Sequence, residues 1–296
     1  MPLLDACAPA VSRYAQRSAA ADSAVRVAIG RERELQSRDL PGNTVGVLPL
    51  SVQSADTAYA SLGHGVAALI ATDLARSNRL VIVERLHLDA VMRELDMVRA
   101  GRVDSSSAPR VGRIVGARRV ILGNLDIRPT GALQLGSTVA NAVSGVVDAS
   151  LSGNATVNRI FDAEKAMVFR LLEALGVTLT PAERRAIEPH QTQNLAALLA
   201  FSNGVRAELN RDAVGAIAHY NAAARLDPGF TEARARATAI QGTDVARLGS
   251  SAAVSRVSSL SNELVNRSTP VLFGSGVDAP VTRQQLITIT ISIRTP

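Results

Sequence analysis

The feature that most constrains the fold is the order of apolar segments between residues 79 and 127. Two short runs, Leu80–Val83 and Val120–Leu122, are rich in β-branched residues and are typical of buried β-strands. Between them, apolar residues recur at helical spacing. A strand, a helix and a second strand that must all be buried predict a crossover unit, in which helices cover a β-sheet.

The flanking segments predict further elements of the same layered kind. Thr44–Leu50 is a compact apolar strand, and Ser51–Ser61 is polar and small, which is typical of a loop. Apolar residues at three- and four-residue steps then predict a helix that begins at Leu62. The next helices are Leu86–Met97 and Ala108–Gly116, and the second of these has a proline in its first turn and a glycine at its end.

Beyond these helices the pattern changes to antiparallel strands. Val120–Ile127 is the third strand, Pro129–Gly131 is a turn, and Leu133–Val143 alternates in part between apolar and polar residues. A second turn at Ser144–Gly145 precedes another strand, Val146–Val157. The predicted fold class is therefore an α/β (α+β) sandwich with a mixed sheet and flanking helices.

An amphipathic helix is predicted at Phe161–Leu175, because its large apolar residues can share one broad face. Its polar residues, Glu164 and Lys165 among them, are placed largely elsewhere around the helix. The sequence TPAE at positions 180–183 then predicts the start of another helix, with an N-cap, a proline in the first turn and an acidic third position.

Residues Gln193–Arg234 are almost purely helical in pattern and predict a helical hairpin. The residues that match the spacing of one tetratricopeptide repeat are Gly204, Ala216, Tyr220, Ala223 and Pro228. The first-helix positions depart from the repeat, since they hold Ala200, Asn203 and Ala207. One repeat cannot bury its own face, so it must pack on the α/β domain, on a following helix or on another chain.

From Gln241 the chain is polar and rich in serine, with a short helix predicted around Leu260–Val265. Gln285–Arg294 returns to strict alternation of isoleucine with threonine or serine, which predicts a terminal β-strand with one apolar face. Such a strand adds to the sheet or pairs with a protein partner, because an unpaired edge is prone to association. A strand of an outer-membrane barrel is a further alternative.

The N-terminal segment contains the only cysteine, Cys7, within the sequence LDAC. This sequence resembles the end of a bacterial lipoprotein signal, in which a small residue precedes a lipidated cysteine, although Asp5 fits poorly there. Two readings stay open: an ordinary cysteine, or a start codon placed too far downstream, which would leave only the tail of a secretion signal. The residues from Val11 to Leu35 predict a helix.

Composition excludes several classes of protein. Hydrophobic residues make up 47% of the 296 residues, which fits a globular chain with a sizeable core. The net charge of +6 does not indicate nucleic-acid binding, because Lys165 is the only lysine and the arginines are scattered among acidic residues. A single cysteine excludes an internal disulfide, and no apolar run reaches the ~18 residues of a membrane-spanning helix.

For each group of residues considered as a candidate site, a structural role is the favoured interpretation. The sequence Gly63–His64–Gly65 lacks the remaining residues of a dinucleotide or phosphate loop, so close packing is favoured. The four histidines have no metal-ligand spacing. Glu84 and Arg85 are interpreted as structural ion-pair residues, and three aspartates on helices as solvated: Asp73, Asp89 and Asp96. We predict no catalytic residue, no metal and no cofactor.

Several of these segments together resemble the CsgG family of curli secretion and the related envelope lipoproteins that activate penicillin-binding proteins. The matching pieces lie between Thr44 and Leu175 and just beyond: VGVLPL, LGHGVAALIATDLARSNRLVIVERLHLDAVMREL, GARRVILGNL and FDAEKAMVFRLLEALGVTLTPAERRAI. The resemblance implies a small α/β sandwich used for assembly and secretion at the cell envelope, and not for catalysis. Leu133–Val157 lacks the long hairpin insertions of the pore-forming members, which argues against a pore.

The predicted domains are an N-terminal helix and linker (1–43), a CsgG-like α/β domain (44–187), a tetratricopeptide-like hairpin (193–236), and a polar linker with the terminal strand (237–296). The preferred hypothesis is a non-catalytic scaffold in the periplasm or at the outer membrane. It would contact protein partners, or further copies of itself, through the repeat or the terminal strand. Two alternatives are a cytoplasmic ligand-binding or regulatory module and an outer-membrane secretion subunit.

Overall fold

The computed structural model describes residues 13–35, 40–95 and 107–241. The helices are α1 (Arg13–Gly30), α2 (Glu32–Leu35), α3 (Leu62–Leu74), α4 (Arg85–Glu94), α5 (Ala108–Val115), α6 (Ile160–Ala174), α7 (Pro181–Ile187), α8 (Leu195–Leu209), α9 (Ala213–Leu226) and α10 (Thr231–Gln241). The strands are β1 (Thr44–Val47), β2 (Ser51–Ser54), β3 (Val81–Ile82), β4 (Arg119–Ile127), β5 (Ala132–Asn141) and β6 (Val147–Thr156). Short 3-10 helices occupy Thr57–Tyr59 and Val157–Arg159.

These strands form one mixed sheet in the order β3-β1-β4-β5-β6, and β2 also pairs with β4. The β1 strand is parallel to both β3 and β4, and β2 is parallel to β4. The β4, β5 and β6 strands are antiparallel. This confirms the predicted mixed sheet and its three antiparallel strands. Glycines with positive φ stand in the two connecting turns, at Gly131 (80°) and Gly145 (72°).

The first predicted strand, Thr44–Leu50, ends at Val47, and a second short strand follows it at Ser51–Ser54. The β1 strand pairs with the start of β4, and β2 pairs with its end, so both lie along the same edge of β4. Pro49 lies between them and has no N–H to donate to a neighbouring strand. The prediction of a loop at Ser51–Ser61 is therefore wrong for its first four residues. Polar residues form β2 there because backbone pairing with β4 does not require apolar side chains.

The prediction of a buried strand at Leu80–Val83 is also wrong in part. The β3 strand has only two residues, and it lies at an edge of the sheet. Val81 is 52% exposed. An edge strand has a neighbour on one side only, so β-branched residues can stand there without full burial.

Helices cover both faces of the sheet, as the predicted sandwich requires. One core contains residues of α1, α4 and α5 against Val120 and Leu122 of β4. The other contains residues of α3, α6 and α8 against Ile121 and Leu125. Successive side chains of a strand point to opposite faces, so β4 supplies both cores from alternate positions.

The predicted helix start at 180–183 is confirmed in detail. The Thr180 hydroxyl accepts a hydrogen bond from the backbone N–H of Glu183 at 3.2 Å. The Glu183 carboxylate accepts one in return from the backbone N–H of Thr180 at 2.8 Å. This reciprocal pair is a capping box, and it fixes the start of α7.

The helical hairpin packs against the α/β part of the same chain. The α8 helix lies between α3 and α9, and α10 packs on α9. Contact between α3 and α8 is close, because a Cβ atom at Gly65 would overlap the Ser202 hydroxyl. A Cβ atom at Gly63 would likewise overlap the backbone of Leu50, which agrees with close packing as the role of this glycine pair.

Candidate functional site

A small cavity lies at the carboxyl ends of β1 and β3, between the sheet and helices α3 and α4. Its volume is about 50 Å³. The polar residues that line it are His64, Arg85, Asp89 and Arg236, and the apolar residues include Val47 and Ile82. Ligands of open α/β sheets usually bind outside the carboxyl ends of parallel strands, so the position of this cavity makes it the candidate ligand site.

Arg85 and Asp89 stand one turn apart on α4 and form an ion pair, with Nε 3.3 Å from Oδ2. The Arg85 guanidinium also donates to the Val205 carbonyl of α8 at 2.9 Å. The Glu208 carboxylate of α8 lies 3.7 Å from Arg85 Nε. These contacts tie the first turns of α4 to the helical hairpin.

Glu208 extends the same network to the last two helices. Its carboxylate accepts a hydrogen bond from the Tyr220 hydroxyl of α9 at 2.8 Å and from the Arg236 guanidinium of α10 at 3.2 Å. Burial and the neighbouring Glu208 charge raise the pKa of the Tyr220 hydroxyl well above its usual value. This hydroxyl therefore stays protonated and acts as a hydrogen-bond donor. Five side chains on four helices thus form one buried polar cluster.

His64 faces this cluster from the first turn of α3. Burial lowers the pKa of His64 to about 4, and the nearby charges of Arg85 and Arg206 act in the same direction. The imidazole is therefore neutral at physiological pH. Its Nδ1 atom is buried and has no hydrogen-bond partner among the described residues.

The chemistry of this cavity favours a structural role. Each charged group that lines it already has an ion-pair partner, Arg85 with Asp89 and Arg236 with Glu208. A volume of about 50 Å³ admits water or a small ion. The cluster therefore joins the helical hairpin to the α/β layer, and its charged groups are paired with one another in this contact.

A second buried cluster lies between α3 and α6. The Lys165 ammonium donates to Asp73, and both side chains are buried. Gln191 donates to the other oxygen of Asp73 at 3.1 Å, and Arg76 lies 3.3 Å from it. Glu164 is buried beside them. Its burial and the neighbouring Asp73 carboxylate raise the pKa of Glu164 to about 8, so it holds a proton at neutral pH.

These two clusters correct several predictions. Asp73 and Asp89 are not solvated, since both are buried and paired with cations. Glu164 and Lys165 lie on the buried side of α6, not on an exposed face. The sequence did contain one indication that Asp73 is buried, because this residue falls at the helical spacing of Val66 and Ile70 on the apolar face of α3.

The remaining predictions have different outcomes. Glu84 and Arg85 do form ion pairs, but with separate partners: Glu84 contacts Arg17 of α1, and Arg85 contacts Asp89. Sequence patterns did not single out Glu208 or Arg236. Asp96, Cys7, the predicted helix around 260–265 and the predicted strand at 285–294 lie outside the described residues.

Two of the predicted repeat residues, Gly204 and Tyr220, meet where α8 packs on α9. A Cβ atom at Gly204 would lie 2.6 Å from the ring of Tyr220, so α8 and α9 can approach closely only because position 204 has no side chain. Ala216 and Ala223 are fully buried on α9. Pro228 follows the end of that helix and is exposed. The assignment of this hairpin to the tetratricopeptide repeats stays a prediction.

The described residues contain neither a metal site nor a membrane-spanning helix. Among residues 13–35, 40–95 and 107–241, no group of three or more histidine, cysteine, aspartate or glutamate side chains could hold a metal ion. The helices in the same ranges are also too short or too polar to cross a membrane.

Part of this chain matches a known family. Residues 26–126 match the family model of the curli production assembly/transport component CsgG. The predicted resemblance is confirmed for that segment, which begins within α1 and ends in β4. It contains the parallel part of the sheet with α3 and α4, and thus the strands and helices that surround most of the cavity.

Solved structures that are similar to part of this chain include three of LpoB. The LpoB C-terminal domain from Salmonella enterica is 15% identical, and the match covers 46% of this chain and 98% of that chain with a TM-score of 0.33. The LpoB C-terminal domain from Escherichia coli is 18% identical, with 47% and 97% covered and a TM-score of 0.30. Longer LpoB from Escherichia coli is 17% identical, with 46% and 64% covered and a TM-score of 0.32. No curated protein matches this chain.

Proposed function

We propose that this chain is a non-catalytic accessory protein of the bacterial cell envelope, which acts in assembly or secretion through contacts with other proteins. The observation that carries this proposal is the match of residues 26–126 to the family of an assembly and transport component. A location in the periplasm, attached to the outer membrane through a lipid on Cys7, belongs to the same proposal.

The candidate site supports a scaffold over a ligand-binding module. Sites for small molecules usually have volumes of ~300–1,000 Å³. The cavity beside Arg85 has about 50 Å³, which is several times smaller. Its charged groups are already paired with one another, so they would have to break existing ion pairs to bind a charged ligand.

Among the described residues, three exposed valines stand close together in the sequence and are available to a partner. Val143, Val146 and Val147 are all exposed and stand within five residues around the β5–β6 turn. Exposed aliphatic side chains in a group are more typical of contact surfaces than single ones. The first helix of the hairpin, α8, is covered by α3, so we place the partner contact on this turn in preference to that helix.

Fractionation of cells tests this proposal. The full gene product, translated from any start codon upstream of Met1, should be recovered with the membranes and should carry lipid on Cys7. The Cys7→Ser variant should lose the lipid and move to the soluble fraction. A wild-type protein that is found only in the cytosol, without lipid, would contradict the proposal.

A further inference from the structure

The outer edge of β6 has the features of a strand-docking site. Within the described residues, β6 ends the sheet and pairs with β5 alone. The backbone N–H of Val157 points toward β5, since it donates to the Gly131 carbonyl at 3.0 Å. Backbone groups of an antiparallel strand alternate in direction. The N–H and C=O groups of Ser150, Ser152 and Asn154 therefore point outward, away from β5.

This edge lacks the usual protection against pairing. It is ten residues long, contains neither proline nor lysine, and has one charged residue, Asp148. Long edges without such residues are normally covered, because they present unpaired backbone groups. One contact does reach the edge: the Arg170 guanidinium of α6 donates to the Ser152 carbonyl. That hydrogen bond shows that the outward carbonyl is open to a donor.

The two faces of β6 differ in polarity. Ala149, Leu151 and Ala155 pack against the core beneath α6. The alternate residues Ser150, Ser152, Asn154 and Thr156 are exposed. A strand that joins this edge must therefore present apolar side chains toward α6 and small polar side chains toward solvent.

One segment of the same chain has this pattern. Gln285–Arg294 is also ten residues long, and its alternate positions are four isoleucines on one face and mainly threonine and serine on the other. On α6, Ala163, Ala166 and Ala174 share a helical face with Arg170, at steps of four or seven residues. Their small side chains leave room beside the edge for isoleucines.

The connecting chain is long enough for this segment to return to the sheet. Residues 242–284 number 43 and can span about 140 Å when extended, at ~3.3 Å per residue. A tether within one chain also keeps the local concentration of the segment high. By contrast, the other strands with an unpaired edge among the described residues, β2 and β3, have only four and two residues and offer fewer backbone groups.

We propose that Gln285–Arg294 pairs with the outer edge of β6 in the same chain and adds a strand to the sheet. The isoleucines extend the apolar face beneath α6, and the threonines and serine extend the exposed face. A backbone N–H of the added strand replaces Arg170 as the hydrogen-bond donor to the Ser152 carbonyl.

Amide hydrogen exchange of the full chain, followed by NMR, tests the pairing. The outward amides of Ser150, Ser152 and Asn154 should exchange at least about tenfold more slowly than in the Ile289→Lys/Ile291→Lys variant. The matched Thr288→Lys/Thr290→Lys variant changes the polar face of the same segment and should keep the protection. The inward amides of Leu151 and Gly153 report that each variant is folded. Outward amides that exchange equally fast in the unaltered chain and the isoleucine variant would overturn the proposal.

Cysteine pairs distinguish one chain from two. In a Cys7→Ser background, Ser152→Cys is combined in turn with Thr288→Cys, Thr290→Cys or Ser292→Cys, all on the predicted polar face. One of the three combinations should form an intrachain disulfide under mild oxidation, whereas Ser152→Cys with Ile289→Cys should not, because residue 289 points to the other face. Disulfide-linked dimers in place of the intrachain bond, or no disulfide in any combination, would overturn the proposal.

Discussion

Gly204 shows how one missing side chain sets the distance between two helices. Gly204→Ala places a Cβ atom 2.6 Å from the Tyr220 ring, which is buried and held by its hydrogen bond to Glu208. We expect a net loss of about 1–2 kcal/mol in the free energy of unfolding, because the overlap outweighs the better helix propensity of alanine. Urea denaturation of the full chain measures this.

The control for this substitution is Gly30→Ala, at the end of α1. No atom lies within 4 Å of its added Cβ, so the variant should be neutral or slightly more stable. Equal stability of Gly204→Ala and the unaltered chain would mean that α8 and α9 can separate without cost.

Glu164 predicts a dependence of stability on pH. Its pKa rises from 4.5 to about 8 in the folded chain, so between these values the folded state holds a proton that the unfolded state releases. The free energy of unfolding should therefore fall as the pH rises through this window, with a slope that corresponds to the release of about one proton on unfolding. Glu164→Gln mimics the neutral carboxyl and should be less sensitive to pH.

Urea denaturation at several pH values from 5 to 9 gives the comparison for Glu164. Buried histidines also titrate, because burial lowers the pKa of His64 and of His219 to about 4. Their effect has the opposite sign, since stability falls as the pH drops below their ordinary value, and it is common to both proteins. A difference between the two proteins that does not change with pH would contradict the assigned protonation of Glu164.

The burial of charged residues could not be predicted from their positions in the sequence. A carboxylate on an amphipathic helix is most simply placed in solvent, and this interpretation fails for Asp73 and Asp89. The burial of each carboxylate depends on contacts from distant parts of the chain: Asp73 pairs with Lys165 of α6. Asp89 pairs with Arg85 on its own helix, but both lie beside Glu208 of α8. Helical periodicity reports which face of one element is apolar, but not which cation will face it.

Among the elements, α4 is tied to the hairpin by Arg85, and Arg93 adds a hydrogen bond to the Leu209 carbonyl. Arg85→Leu would leave the Asp89 carboxylate buried without its principal cation, and it would remove the hydrogen bond to α8. We expect a loss of about 3–5 kcal/mol in the free energy of unfolding, as is typical when one partner of a buried pair is removed. Chemical denaturation measures the change.

The matched control is Arg159→Leu, which removes an exposed ion pair with Asp162. Exposed pairs contribute roughly 0–1 kcal/mol. If both variants lost the same small amount, the cluster at the cavity would not be the joint between α4 and the hairpin.

Elements with a strong apolar period could be predicted, and those that depend on pairing could not. The sequence placed α3, α5 and α6 correctly, together with the antiparallel strands. It missed β2, because Ser51–Ser54 has a polar composition and is a strand only through its register with β4. It overestimated β3 for the converse reason, since an apolar run does not report how many neighbours a strand has.

At the scale of the whole molecule, the main question is whether the α/β part and the hairpin are separate units. One continuous apolar core contains residues of the sheet, α3, α6, both helices of the hairpin and α10. Sequence patterns left the packing partner of the hairpin open, and α3 fills that role together with α10. We expect the chain to unfold as one cooperative unit.

Truncation tests this expectation. A chain that ends at Glu188 would expose the face of α3 that α8 covers, and we expect it to show no cooperative thermal transition in calorimetry. A chain that ends at Gln241 keeps the hairpin and should retain one transition. A native-like transition in the shorter chain would establish the hairpin as an independent domain.

The ion pair of Lys165 has a practical consequence for labelling. Because it is the only lysine of the chain and is buried against Asp73, reagents such as N-hydroxysuccinimide esters meet no exposed ε-amine on the native fold. Acylation at this position can then proceed only while α3 and α6 are apart. The mass added over time to the peptide that contains Lys165, measured apart from the α-amino group, would therefore report how often α3 and α6 separate, without any engineered probe.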